Sequence, residues 1–288
     1  MNPYVILTDS ACDIPPEILE QWGVTCRELT FRFEGDENEY SNNDMSQPEF
    51  YSKMRAGGIA KTAAVNTEVF TQMFEVPLKE GKDVLYLGFS SGLSTTYNSG
   101  RLAIEQLRSK YPERTILAVD SLSASAGFGL LIYLTVQKQK EGAAIEEVAN
   151  YAEGLKYRLC HWFTVDDLVY LKRGGRISPT VALVGNLLGI KPVLHMDNEG
   201  HLINMFKVRG RKTSVAALAD KYGELALDKE NGTVFISHGD CLEDAKELEK
   251  ILKDRYNAKV ELIVYVGTVI GAHSGPGTLA LFFEGKER

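Results

Sequence analysis

The residues of this chain that most resemble a chemical site are Gly88-Phe89-Ser90-Ser91-Gly92, a G-x-S-x-G pattern between an apolar run and a helical one. In that setting a serine can stand on a strand-to-helix turn as the nucleophile of an α/β-hydrolase. Downstream partners are present in the required order, with Asp120 or Asp240 as acid and His238 or His273 as base. Gly/Ser-rich turns are also common between strand and helix in parallel sheets, so the pattern leaves the hydrolase open without requiring it. The same turn supports a second chemistry. Ser91, Ser94, Thr95 and Thr96 cluster where a helix should begin, and free backbone N–H groups with hydroxyls there can hold a carboxylate or phosphate. A plain N-cap by Ser94 is the simplest use of the cluster.

Other polar residues say less. Thr62 falls in an expected loop between the Gly57-Gly58 break and a helix at Thr67, where it could reach the same end of a sheet as Ser94. His273 lies in Gly271-Ala272-His273-Ser274-Gly275-Pro276-Gly277, expected as a tight turn whose small neighbours allow a ligand close to the backbone. Two basic runs, Lys172-Arg173-Gly174-Gly175-Arg176 and Lys207 to Lys212, stand against an acidic background and could dock an acidic or phosphate-bearing partner.

The elements that must position these residues follow from periodicity. Residues 4–8 form an apolar strand, followed by a helix opened at Pro15-Pro16, and residues 24–33 alternate like one edge strand. Helices are expected over residues 47–55, 67–80 and 94–110, strands over 84–89 and 115–120, then a buried helix running to Glu141 and another over 145–157. Strands separated by helices imply a mainly parallel sheet covered on both faces, with ligands at the carboxyl ends of its strands. Beyond that point the pattern changes. Residues 190–196 and 201–208 read as a hairpin joined through Asp197-Asn198-Glu199-Gly200, followed by helices over 213–227 and 242–256 and apolar runs at 233–237, 260–266 and 278–283. The expected organisation is an α/β domain over residues 1–155 and an α+β domain over 156–288.

Composition narrows the function classes. Its 288 residues exceed the usual single domain, and 44% hydrophobic with 25% charged residues is ordinary globular composition. A net charge of -7 argues against a general nucleic-acid or anionic-membrane surface. The first residues lack a basic and apolar leader, and the longest uncharged stretch, Ser121 to Gln137, is shorter than the roughly 20 residues of a spanning helix. Four cysteines without a C-x-x-C pair fit a reduced cytosol and a cytoplasmic protein. No nucleotide-binding glycine motif and no H-E-x-x-H or His/Cys ligand group is present, so no cofactor or metal is expected.

Four segments in order, Thr8-Asp9-Ser10-Ala11-Cys12-Asp13, Ser90-Ser91-Gly92-Leu93-Ser94, Leu171-Lys172-Arg173-Gly174-Gly175-Arg176-Ile177 and Ile190-Lys191-Pro192-Val193-Leu194, together with the glycine-rich segment around His273, resemble the DegV family along essentially the whole chain. That resemblance implies a two-domain bacterial fatty-acid-binding protein, with a lipid tunnel between or beside the domains. It further implies a non-catalytic subunit that presents the acyl carboxylate to a separate ATP-binding fatty acid kinase for phospholipid metabolism. By position, the resemblance places the carboxylate contacts on Thr62 and Ser94, with Thr95, Arg209 and His273 as further polar groups, and makes Lys172, Arg173 and Arg176 candidate kinase-docking surface. A monomer with one bound fatty acid is expected. The family often follows its threonine with Ser-Gln-Pro; here Ala63-Ala64-Val65 follows Thr62, and head-group geometry or acyl preference is where this chain would differ. The chemistry is self-consistent: a buried carboxylate needs donors, and burying about 16 carbons at roughly 0.8 kcal/mol each yields on the order of 12 kcal/mol before association costs.

Overall fold

A computed structural model of the chain describes residues 2–177 and 189–288. Its first sheet is parallel, in the order β2-β1-β6-β7, from β1 (Tyr4–Asp9), β2 (Val24–Arg27), β6 (Asp83–Gly88) and β7 (Ile116–Asp120). β6 is buried at every position, as a central strand covered on both faces must be. Helices α1 (Pro16–Trp22), α2 (Gln47–Arg55), α3 (Thr67–Lys79), α4 (Thr96–Lys110), α5 (Ser125–Lys140) and α6 (Ile145–Leu155) complete the first half.

The run expected as one strand over residues 24–33 is two. After β2 the chain leaves the parallel sheet, and β3 (Thr30–Phe33) forms a separate antiparallel sheet, β4-β3-β5, with β4 (Tyr40–Ser41) and β5 (Ala60–Ala63). The Leu29 amide donates to Ser10 Oγ at 2.9 Å, which fixes the crossing point. Alternation alone cannot show such a change of sheet, because both strands are half-buried. Thr62 is therefore on a strand, paired with Phe31, and not in a loop.

All strands of the third sheet come after residue 158: β8 (Leu159–Thr164), β9 (Ile190–Met196), β10 (Leu202–Arg209), β11 (Val234–His238), β12 (Val260–Tyr265) and β13 (Leu279–Glu284), in the order β10-β9-β8-β13-β11-β12. Only the β11–β12 pair is parallel. The β9–β10 hairpin forms as its turn residues predict. Central strand β8 is absent from the periodicity reading: Leu-Cys-His-Trp-Phe-Thr is buried on both faces and follows the 145–157 pattern without a break. Helices α7 (Val169–Arg173), α8 (Arg211–Leu225), α9 (Leu242–Tyr256) and α10 (Thr268–Ser274) complete the described chain.

The principal core runs through both halves, taking in Leu7 and Phe74 from the first and Phe163, Phe235 and Phe282 from the second. Helix α5 is the shared element. Most of its residues are buried, and it packs against the β1–α1 turn on one side and β8, β11 and β13 on the other. Trp22 and Tyr133 both reach Phe235, at centroid separations of 6.4 and 5.8 Å. No helix among the described residues is long and apolar enough to cross a membrane.

Candidate lipid-binding site

A cavity of about 460 Å³ opens where the carboxyl ends of β6 and β7 meet the inner face of the third sheet. Its interior is mostly apolar, with Phe89, Ala124, Phe163, Leu171, Met196, Leu202, Val266, Val269, Ala280 and Phe282 in its walls. Ala63, Ala64, Ser91 and Thr95 line it while exposed to solvent, so they mark its mouth. Its position follows the rule for parallel sheets.

Polar groups converge at one end. Thr62, at the end of β5, places Oγ1 2.8 Å from His273 Nε2. His273 is on helix α10, not in a turn, and its Nδ1 is buried without a partner. Burial, reinforced by Arg176, lowers its pKa to about 4, so the ring is neutral at pH 7. With no acceptor at Nδ1, the ring proton belongs on Nε2, donating to Thr62 Oγ1. The threonine's own O–H is then released to donate into the cavity.

Ser94 lines the same cavity from the loop between β6 and α4. Its Oγ accepts from the Thr96 amide at 3.2 Å and lies 2.9 Å from Thr96 Oγ1, while its own amide donates to the Ser90 carbonyl at 3.1 Å. Buried Asp9 sets the approach to this loop: its carboxylate accepts from the Phe89 amide at 2.9 Å and the Tyr86 hydroxyl at 3.0 Å. Burial, only partly offset by these bonds, raises its pKa to about 6.

The segment Leu171 to Arg176 supplies the cation. Helix α7 ends in a Schellman cap: Gly175 adopts a left-handed φ of 69°, the Gly175 amide donates to Lys172 and the Arg176 amide to Leu171. A Cβ on Gly174 would lie 2.2 Å from His273 Nδ1, so glycine is required for the imidazole to seat. The cap turns Arg176 toward the cavity, where its Nε donates to the Leu93 carbonyl at 3.1 Å. The basic run thus divides: Lys172 and Arg173 are exposed, whereas Arg176, expected on the docking surface, is half-buried in the cavity wall. Arg209, expected near the head group, is exposed on β10 opposite Ile190 and does not line the cavity; Leu202, at the other end of that strand, does. The distance between the ends of an eight-residue strand separates them.

Ser90 is fully buried, donates to the Gly200 carbonyl at 2.9 Å and accepts from the Gly92 amide at 3.2 Å. The residues that could complete a triad are engaged elsewhere. Asp120 accepts from the Ser91 and Leu122 amides, Asp240 is paired with Arg55, His238 accepts from the Cys241 amide, and His273 faces Thr62. Both glycines of the G-x-S-x-G pattern have packing reasons: a Cβ on Gly88 would strike Tyr97 and Tyr86, and one on Gly92 would strike the Glu199 and Gly200 carbonyls. The Ser90 turn is the seat of the β9–β10 hairpin.

Several lining residues carry no local signal in the sequence. His161, Ser125, Ser237, Ser274 and Thr278 become neighbours of the cavity only when β8, β11 and β13 pair and α5 lies across them. No group of three or more His, Cys, Asp or Glu side chains able to hold a metal exists among the described residues.

The fold as a whole recurs in known proteins. A DegV domain-containing protein of Clostridium perfringens is 43% identical over 291 residues, covering 100% of this chain and 99% of that protein. A DegV lipid-binding protein from Thermotoga maritima superposes with a TM-score of 0.86 at 31% identity, over 99% of both chains. A stearic-acid-binding protein from Eubacterium ventriosum superposes with a TM-score of 0.88 at 28% identity, over 98% of both. The model of a family described as uncharacterised, DegV, matches residues 3–286, and the chain belongs to the DegV family.

Proposed function

We propose that this protein binds one long-chain fatty acid, carboxylate at the Thr62–His273 end and acyl chain along the apolar walls, and presents it to a separate fatty acid kinase. The observation that carries the reading is the cavity itself: mostly apolar in its walls, with Thr62, His273, Ser94 and Arg176 among its polar lining. Thr62 donates a free hydroxyl hydrogen, Ser94 can donate while still accepting from Thr96, Thr95 stands at the rim, and Arg176 supplies the charge complement. Proteins of the same fold bound to stearic and other fatty acids support the ligand class. The carboxylate lies near the mouth, where an incoming phosphoryl donor could reach it, and exposed Lys172 and Arg173 on the adjoining helix α7 form the docking surface for the kinase. The chain itself acts as a carrier, monomeric in the cytoplasm, and the kinase supplies the chemistry.

Denaturing extraction followed by mass spectrometry tests the central claim. The expected result is one fatty acid per chain; protein that carries none and takes up none on incubation with stearic acid refutes it. Transfer of phosphate from ATP to the bound acyl carboxylate, when a fatty acid kinase is added, tests the presentation step.

A further inference from the structure

The acyl part of the cavity wall is tied from behind by a side chain that is not in the wall itself. Arg288 donates from Nε to the Leu159 carbonyl at 3.2 Å and from Nη1 to the Asp197 carbonyl at 3.1 Å. Its Nη2 donates to the Leu122 carbonyl at 2.6 Å and to Ser123 Oγ at 3.2 Å. Each of these anchor points stands beside a residue that lines the cavity. Leu159 shortly precedes His161 on β8, Asp197 directly follows Met196 at the end of β9, and Ser123 directly precedes Ala124 at the start of α5. His161 pairs with Phe282 of β13, about 13 Å along the strand from Thr278. Thr278 is held beside His273, its hydroxyl donating to the Ser274 carbonyl at 3.0 Å. The wall that Arg288 ties at β8 and β9 is therefore well removed from the carboxylate end, where the hydrocarbon tail would lie.

These ties hold segments that local structure alone leaves loose. β10 is an edge of the third sheet, and the turn joining it to β9 is gripped from two sides, by Ser90 Oγ at the Gly200 carbonyl, 2.9 Å, and by Arg288 at Asp197. Leu122 carries a left-handed φ of 49°, which a residue with a side chain adopts only at a cost, and its carbonyl takes the shortest of the Arg288 bonds. Burial lowers the Arg288 pKa to about 10, so the guanidinium is charged at pH 7 and bonds its neutral acceptors as a cation. We propose that Arg288 is a positioning residue for acyl-chain recognition: it locks the β9–β10 turn and the loop before α5 against β8, and so sets how long a chain the cavity accepts. The inference rests on the fatty-acid reading of the cavity and adds a determinant of chain length that does not touch the ligand. With the ties intact, a chain that overruns the space must push aside a packed wall. Without them Met196, unbranched and adaptable, and Leu202, on the edge strand, give way.

The test is the length profile. Delipidated full-length protein is incubated with an equal mixture of even-numbered saturated acids from dodecanoic to docosanoic, and the retained lipids are quantified by mass spectrometry. On the wild type, retention should rise with length up to one acid and then fall about tenfold at the next longer one, as overpacking by two methylenes requires. Arg288→Met keeps an apolar stem and makes none of the four bonds. It should retain the shorter acids as the wild type does and reduce that fall to roughly threefold or less, moving the limit to longer acids. A residue that only stabilised the fold would, when replaced, cost acids of every length in proportion. That result, an unchanged profile, or a wild type with no upper limit overturns the inference and leaves fatty-acid binding intact. Thermal melts establish folding; if Arg288→Met does not fold, Arg288→Lys, which keeps the charge but not the fork of donors, is judged on the same profile. Failure of the wild type to retain any of the acids refutes fatty-acid binding itself.

Discussion

Replacing Thr62 by Val keeps shape and volume and removes one hydroxyl. In the wild type that hydroxyl lies 2.8 Å from His273 Nε2, and with the ring proton on Nε2 it accepts there and keeps its own hydrogen for a ligand carboxylate. A hydrogen bond to a charged group contributes about 1.5–3 kcal/mol, so its loss should weaken binding of a long-chain carboxylate roughly 10- to 150-fold. Val also strands the His273 N–H, which disorders the ring and moves the loss toward the upper end. Competitive displacement of a fluorescent fatty acid measures it, with stearic acid and its methyl ester as competitors. The ester fills the same apolar walls but presents no anion, and its affinity should change less than threefold or so on the same scale of free energies. An equal loss for acid and ester would show that the substitution damaged packing, and unchanged stearate affinity would remove Thr62 from the carboxylate site.

Three further outcomes follow from the same geometry. Gly174→Ala puts a methyl 2.2 Å from His273 Nδ1, so it should displace the ring and lower stearate affinity as much as Thr62→Val, without lowering the melting temperature by more than a few degrees; wild-type affinity would contradict this packing. Asp13 is buried, with Ser125 and the Gly267 amide facing it but no full hydrogen bond closed to either carboxylate oxygen, and burial lifts its pKa from 3.8 to about 7. Because the folded value lies above the unfolded one, this group destabilises the fold increasingly as pH rises from about 4 to 7. Asp13→Asn should therefore gain up to about 4 kcal/mol relative to wild type between pH 4 and pH 8 in urea unfolding, and a difference independent of pH would contradict the assignment. Ser90, buried against Gly200, should resist fluorophosphonate labelling in folded protein, while Ser90→Ala should cost about 1–3 kcal/mol of stability; stoichiometric labelling would restore the nucleophile reading.

Much of the scaffold was legible in the order of residues because it rests on local rules. Helix α2 begins at a Ser46 cap with Pro in its first turn, and α9 ends on Asn257 with a left-handed φ of 55°. The turn between β9 and β10 places Gly200 at φ 78°. The alternation of strand and helix through the first half likewise implied the parallel sheet and located the site at its carboxyl end.

What the sequence determined by itself was the class of fold; Thr62 and Ser94, singled out through the family resemblance, both line the cavity. Only tertiary structure decided which cation joins them. Arg176 and Arg209 stand in similar basic runs, but the Schellman cap after α7 turns Arg176 inward while β10 carries Arg209 away. It also decided the role of Ser90, whose motif suits a nucleophile until the hairpin turn settles on its hydroxyl. The same holds for His161, an ordinary strand residue that comes to line the cavity only when β8 pairs with β13 and α5 crosses them. The physical reason is common to all three: burial and hydrogen-bond partners arise from contacts between residues far apart in the chain, and local pattern carries no record of them.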